Sequence, residues 1–297
     1  LAMQIEHSAP AAAAKLAPSR LSLVPGLTIN LVFSVFFASM LLCPPPCANA
    51  DEYYRSLEFD TPRFTLHIQT SSDAGKDDPR IESIASEAIA SLNENFDEYR
   101  RIFDEEVHNK VVLRFLTPQE FHKQTGAPEW TSAMYYRGEI TVPIPVSGRV
   151  NMDQLKRALR HELLHFITAE MSHNRCPAWL DEGIAQLLEG QPNPLLGPAL
   201  RTWLTQDNPL PLDWLEHGFT MLEDDMVPAA YAQSLFAART LVNSYGFKKV
   251  TAYIRNLGSG MTNEAAFGAA FDSPFSDFEQ KLAGQLQRWA MSSNQNP

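Results

Sequence analysis

The chain has 297 residues, 44% of them hydrophobic, with 24 Lys+Arg against 35 Asp+Glu and a formal net charge of −11 at pH 7. That length supports one large domain or two lobes sharing a core. So acidic a balance argues against nucleic acid and anionic membrane surfaces as partners.

Lys15 and Arg20 precede a run from Leu21 to Leu42 that is apolar apart from scattered Ser, Thr, Asn, Pro and Gly. Its densest part, Leu31 to Leu42, is short for a spanning helix and suits the apolar region of a signal peptide. Ala48-Asn49-Ala50 places small residues where cleavage needs them and leaves Asp51 as the mature start. The alternative for residues 1–50 is an uncleaved N-terminal anchor, the one route to a membrane. Either way the remainder is expected to be exported, to a periplasm or beyond. Cys43 and Cys47 would leave with a cleaved segment, so Cys176 has no partner for a disulfide and reads as packing.

Residues 51–150 read as a mixed α/β lobe. Phe64 to Ile68 alternates like a strand, and Asp73 to Pro79 is a polar loop. Ile81, Ile84, Ala88, Leu92, Phe96 and Tyr99 recur at helical spacing, which predicts a helix to Phe103. Val111 to Leu116 is a second strand, and Pro118 opens a short helix. Gly138 to Val142 alternates until Pro143 and Pro145 stop it, which predicts an edge strand at residues 138–142.

A longer helix follows. Asn151 is placed to cap it, Asp153 lies in its first turn, and no Gly or Pro interrupts Asp153 to Met171. Leu155, Leu159, Leu163, Leu164, Phe166 and Ile167 make it apolar nearly all round, the mark of a buried helix. Within it stands His161-Glu162-Leu163-Leu164-His165. Residues four apart share a helix face, so His161 and His165 can aim at one ion. Glu162, about 100° further round, flanks that ion and can take a proton from a water it activates. Trp179 to Gln191 reads as a short helix entered after Pro177, with Asp181 and Glu182 in its first turn. A catalytic zinc needs a third protein ligand, which either acid could supply, although acids also favour helix N-termini for the dipole alone.

His-Glu-x-x-His followed by Trp179-Leu180-Asp181-Glu182-Gly183-Ile184-Ala185 resembles the gluzincin metallopeptidases, in particular the bacterial peptidase MA-like group related to thermolysin and the aminopeptidase N type. The resemblance implies a zincin-like fold with Glu182 as third ligand of one Zn²⁺. It also implies an edge strand over the zinc cleft that pairs with an extended peptide, for which residues 138–142 are the candidate. Two departures stand out. Gln186 occupies the position where thermolysin has an aspartate that supports a zinc histidine, and there is no Gly-x-Met-Glu-Asn motif for a substrate amino terminus.

From Asn151 to the end the pattern is helical. Asn193 to Pro211 is a Pro- and Gly-containing loop with room for one short helix. Tyr231 to Tyr245 is a helix closed by Gly246, and Phe247 to Leu257, Asn263 to Phe271 and Phe275 to Trp289 follow. Peptide hydrolysis needs a donor for the oxyanion. Tyr231, in Tyr-Ala-Gln-Ser, resembles the downstream tyrosine of these families, while the plainer reading holds it on the apolar stripe. His217 is the other candidate. The expected fold is thus α+β: an α/β lobe over residues 51–150 and an all-helical catalytic lobe over 151–297. The expected function is an exported zinc metallopeptidase with Glu162 as base and Tyr231 as donor, acting on a peptide or protein. A zinc-stabilised binding module and a hydrolase of non-peptide amides remain the alternatives.

Overall fold

A computed structural model describes residues 55–70, 79–127, 131–145, 148–190, 193–219 and 222–292. The expected leader, its cleavage site and the loop at 73–78 lie outside the described residues. Among the described residues no helix is long and apolar enough to cross a membrane.

Among the described residues, five strands form one mixed sheet: β1 (Arg55–Asp60), β2 (Phe64–Thr70), β3 (Val111–Leu116), β4 (Met134–Tyr136) and β5 (Glu139–Pro143), in spatial order β1-β2-β3-β5-β4. β2, β3 and β5 are parallel, with Phe64 opposite Val111 and Val112 opposite Glu139. β1 and β4 run antiparallel to their neighbours along the two edges. The period-two pattern sends Phe64, Leu66 and Ile68, then Val111, Leu113 and Phe115, to the buried face. Helix α1 (Pro79–Phe103) covers that face with Ile81, Ile84, Ala88, Leu92, Phe96 and Tyr99. A short α2 (Pro118–Thr125) follows β3, capped by Thr117 and closed by Gly126 at φ 68°.

Residues 138–142 are not the edge strand. Arg137 and Gly138 both have positive φ (49° and 86°), which makes the tight turn of a hairpin and lays Met134–Tyr136 outside β5. β5 is therefore interior, between β3 and β4. Pro143 does no harm there. Ile144, next to it, donates to the Leu116 carbonyl, so the donor that Pro143 lacks faces the other side, past the end of β4.

The helical part is built on α3 (Met152–Ser172), α4 (Ala178–Leu188), α5 (Leu196–Gln206), α6 (Val227–Gly258), α7 (Asn263–Phe271) and α8 (Phe275–Met291), with a 3-10 turn at Leu212–Leu215. Asn151 caps α3 by accepting from the Gln154 amide at 3.1 Å. The helix ends at His173, which adopts the left-handed conformation at φ 51°. α6 breaks at Gly246 (φ 76°, ψ 160°), where only glycine turns without strain, and helix resumes at once with Phe247. One continuous core runs from Phe64 and Leu113 through Leu164 and Trp179 to Leu241 and Phe267, so sheet and helices share it.

Two contacts lock the central helices. The Tyr99 hydroxyl donates to the Arg160 carbonyl at 2.9 Å, and the Arg160 guanidinium grips both oxygens of Glu98 at 2.7 Å, binding α3 to α1 one residue before His161. Gly183 lets α4 lie directly on α6. A Cβ there would stand 2.2 Å from the Ser234 carbonyl oxygen and 2.7 Å from the Ala238 Cβ. Gly183→Ala is therefore expected to cost about 1–3 kcal/mol, since backbone must shift to admit the methyl. Gly268→Ala in α7, where a Cβ meets nothing within 4 Å, should instead gain about 0.5–1 kcal/mol of helix propensity. Denaturant melts of the two variants should therefore read opposite signs, and equal effects would refute so close an approach of α4 to α6.

Candidate metal centre

The packing of α4 on α3 brings His161, His165 and Glu182 together. One donor atom from each lies within 4.8 Å of the others, and all three residues are buried. His161 Nε2 is 3.5 Å from Glu182 Oε2, and His165 Nε2 is 3.8 Å from Glu182 Oε1. Donors placed about 2.0–2.2 Å from one tetrahedral ion stand roughly 3.4 Å apart, so this spacing fits a zinc. Neither carboxylate oxygen of Glu182 nor Nε2 of His161 has a hydrogen-bond partner among the described residues, a costly state for buried polar atoms that face no cation.

The opposite edges of both imidazoles are held by carboxylates. His161 Nδ1 donates to Glu189 Oε2 at 2.7 Å, and His165 Nδ1 donates to Asp181 Oδ2 at 2.8 Å. Each bond places the proton on Nδ1 and turns the Nε2 lone pair toward Glu182. Asp181 is itself fixed by the Thr168 hydroxyl, and Glu189 by the Arg157 guanidinium. Of the two adjacent acids near the start of α4, Glu182 thus faces the histidine pair and Asp181 stands behind it. Glu189 carries a signal in its spacing, because it lies seven residues, two turns, beyond Glu182 on the same face. Gln186 supports no histidine. Its Nε2 donates to the carbonyls of Tyr231 and Glu182, at 3.0 and 3.2 Å, and ties α4 to α6.

Electrostatics follow burial. Burial works against protonation of His161, but the Glu182 and Glu189 carboxylates outweigh it and hold the imidazole well above its ordinary range. Burial raises Glu182 although both histidines pull it down. Glu189 is lowered: burial opposes this, and His161 and Arg157 prevail.

Glu162 is 2% exposed, and its Oε2 accepts from the backbone N–H of Tyr135 at 2.7 Å. The true edge strand, β4, therefore lies against the site, with the Tyr135 ring stacked on His165 at 6.5 Å. A backbone donor leaves no trace in a sequence, so this bond could not be read from residue types. Tyr231 is 3% exposed on α6, packed edge-on against Phe219 at 4.7 Å. Burial first, then the Glu182 and Glu162 charges, push its phenol well above the usual value, so it stays a proton donor. His217 is exposed.

Removing a histidine should empty the site: His165→Ala is expected to lose zinc altogether, and its retention at one ion per chain would refute the assignment. Asp181→Asn keeps an acceptor for His165 but loses the charge, and should weaken zinc by about 10- to 100-fold in a chelator competition.

A family model described as Peptidase MA superfamily matches residues 117–289. No curated protein matches the chain. Among solved structures it is similar to the M1 zinc metallopeptidase from Deinococcus radiodurans, at 15% identity and a TM-score of 0.42, covering 82% of this chain and 54% of that one. A glutamate-to-alanine mutant of an M1 zinc metallopeptidase from the same organism gives 15%, 0.41, 82% and 53%. A two-domain M1 zinc metallopeptidase mutant bound to L-tryptophan gives 16%, 0.37, 82% and 52%. The chain thus spans about half the length of these structures. Matched over more than half of its length, and across both helices of the site, the chain belongs to the Peptidase MA superfamily.

Proposed function

We propose that the protein is a zinc-dependent peptidase that hydrolyses peptide bonds with one Zn²⁺ held by His161, His165 and Glu182. The observation that carries this is the buried convergence of three donor atoms within 4.8 Å, backed by a carboxylate behind each histidine. When bound, zinc would lower the pKa of a water toward neutrality and polarise a carbonyl.

The chain's own groups supply the rest. Glu162, beside His161 and held by the Tyr135 amide, accepts the proton of the attacking water and hands it to the departing amine. Tyr231 keeps its proton and donates a hydrogen bond where negative charge develops on the carbonyl oxygen. β4 borders the site as the edge of the sheet, with its outward amide at Tyr135 committed to Glu162. The presence of Glu162 favours an enzyme over a binding module, because a metal-stabilised scaffold has no use for a base. The apolar run at residues 21–42 with Ala48-Asn49-Ala50 supports export as part of the same reading. It is tested by cell fractionation and N-terminal sequencing.

The deciding experiment exposes the protein to a diverse peptide mixture, with products read by mass spectrometry. Cleavage is expected from the wild type and none from Glu162→Gln, which should still bind one zinc. Equal cleavage by both would remove Glu162 from the mechanism. Tyr231→Phe is expected to lower kcat by about 10- to 1000-fold with little change in KM, as for loss of one oxyanion donor. A change in KM alone would move Tyr231 to substrate binding.

A further inference from the structure

A cavity of about 670 Å³ opens beside His161, between the N-terminal half of α3, the loop after α4 and the start of α5. Its lining includes Ser132, Asn151, Arg157, His161, Asn193 and Tyr231. The volume is far more than one water needs and accommodates a segment of peptide.

Several donors of its wall have no partner among the described residues. Asn151 spends its side-chain oxygen on the Gln154 amide at 3.1 Å, and Asn193 spends its own on the Leu195 amide at 3.0 Å. The oxygen of each is engaged, and neither Nδ2 has a partner among the described residues. Arg157 commits one nitrogen, Nη2, to Glu189, and its side chain is still 35% exposed. Its Nε and Nη1 have no partner among the described residues. Of the two carboxylates of the wall, Glu189 bonds Arg157 and His161. Asp153 lies exposed in the first turn of α3, where the helix dipole favours an acid. The donors that remain include the Asn151 and Asn193 amides and the Arg157 guanidinium, the last cationic and one helical turn from His161.

We propose that this cavity binds a carboxylate of the peptide substrate, with Arg157 as its principal contact and Asn151 and Asn193 as flanking donors. The carboxylate is either an acidic side chain or the C-terminal α-carboxylate. A guanidinium already braced by Glu189 is fixed in orientation, which suits planar recognition of a carboxylate. The proposal rests on the peptidase reading, since it names that enzyme's substrate class. It adds a selectivity that neither the ligand set nor the base specifies.

The test uses peptides in matched sets, Glu against Gln at each position, each made with a free C-terminal acid and as the C-terminal amide. The wild type is expected to cleave the carboxylate-bearing member with kcat/KM about 10- to 100-fold higher, the worth of a charge-assisted hydrogen bond. The side-chain and terminal arms separate the two sources. Asn151→Asp and Asn193→Asp keep the accepting oxygens but exchange the donors for negative charge. Each should cut the acid-to-amide ratio of kcat/KM by about tenfold while zinc content and melting temperature stay those of the wild type. Equal cleavage of acid and amide by the wild type, or an unchanged ratio in both variants, overturns the proposal. If no peptide is cleaved, the peptidase reading fails separately. Binding of the same peptides to Glu162→Gln by fluorescence anisotropy then decides, with a preference for acids upholding the pocket and none rejecting it.

Discussion

Everything in this molecule serves the burial of a charged cluster. Two histidines and the carboxylates of Glu162, Asp181 and Glu182 lie 8% exposed or less, at the junction of two helices. Taking such groups out of water costs several kcal/mol per ion, and a hydrophobic replacement is usually the more stable solution. The cluster is a poor way to hold a fold and a good way to hold a cation. A divalent ion would turn the repulsion among the carboxylates into attraction and give partners to the orphaned atoms of His161 and Glu182.

That constraint explains the investment around it. α3 is apolar nearly all round because it must run through the core to bring both histidines inside. Arg160, next to His161, is clamped by Glu98 and by Leu188, and the carbonyl of the same residue takes the Tyr99 hydroxyl, so α1, α3 and α4 are joined within a few ångströms of the site. Gly183, beside Glu182, brings α4 onto α6. The same contact sets Tyr231, three residues before Ser234, on the side of the cluster. Packing and chemistry are solved by the same residues.

The sheet contributes less mass and as much geometry. A three-residue edge strand is too short to be stable on its own and is held by β5 on one side and by Glu162 on the other. One backbone amide of β4 therefore fixes the direction of the acid beside the candidate metal centre. Beyond His161 the cavity wall adds amide and guanidinium donors from Asn151, Asn193 and Arg157.

The sequence alone determined the helices and most of the strands, because apolar spacing at 3.6 and 2 residues, with Asn151 and Pro118 at helix starts, reports burial one element at a time. It also determined that His161 and His165 share a face and that Glu162 stands beside them, since a single helix fixes those relations. It could not choose between Asp181 and Glu182 from residue types, because the choice depends on how α4 is rolled against α3. It placed the edge strand at residues 138–142, where Pro143 and Pro145 read as an edge, while the positive φ of Arg137 and Gly138 folds Met134–Tyr136 outside it. Asp181 behind His165, Glu189 behind His161 and the Tyr135 amide on Glu162 were decided by tertiary structure alone. Each joins two different elements; Glu189 shares a face with Glu182 at two turns' spacing, but which histidine it meets is set by where the helices pack.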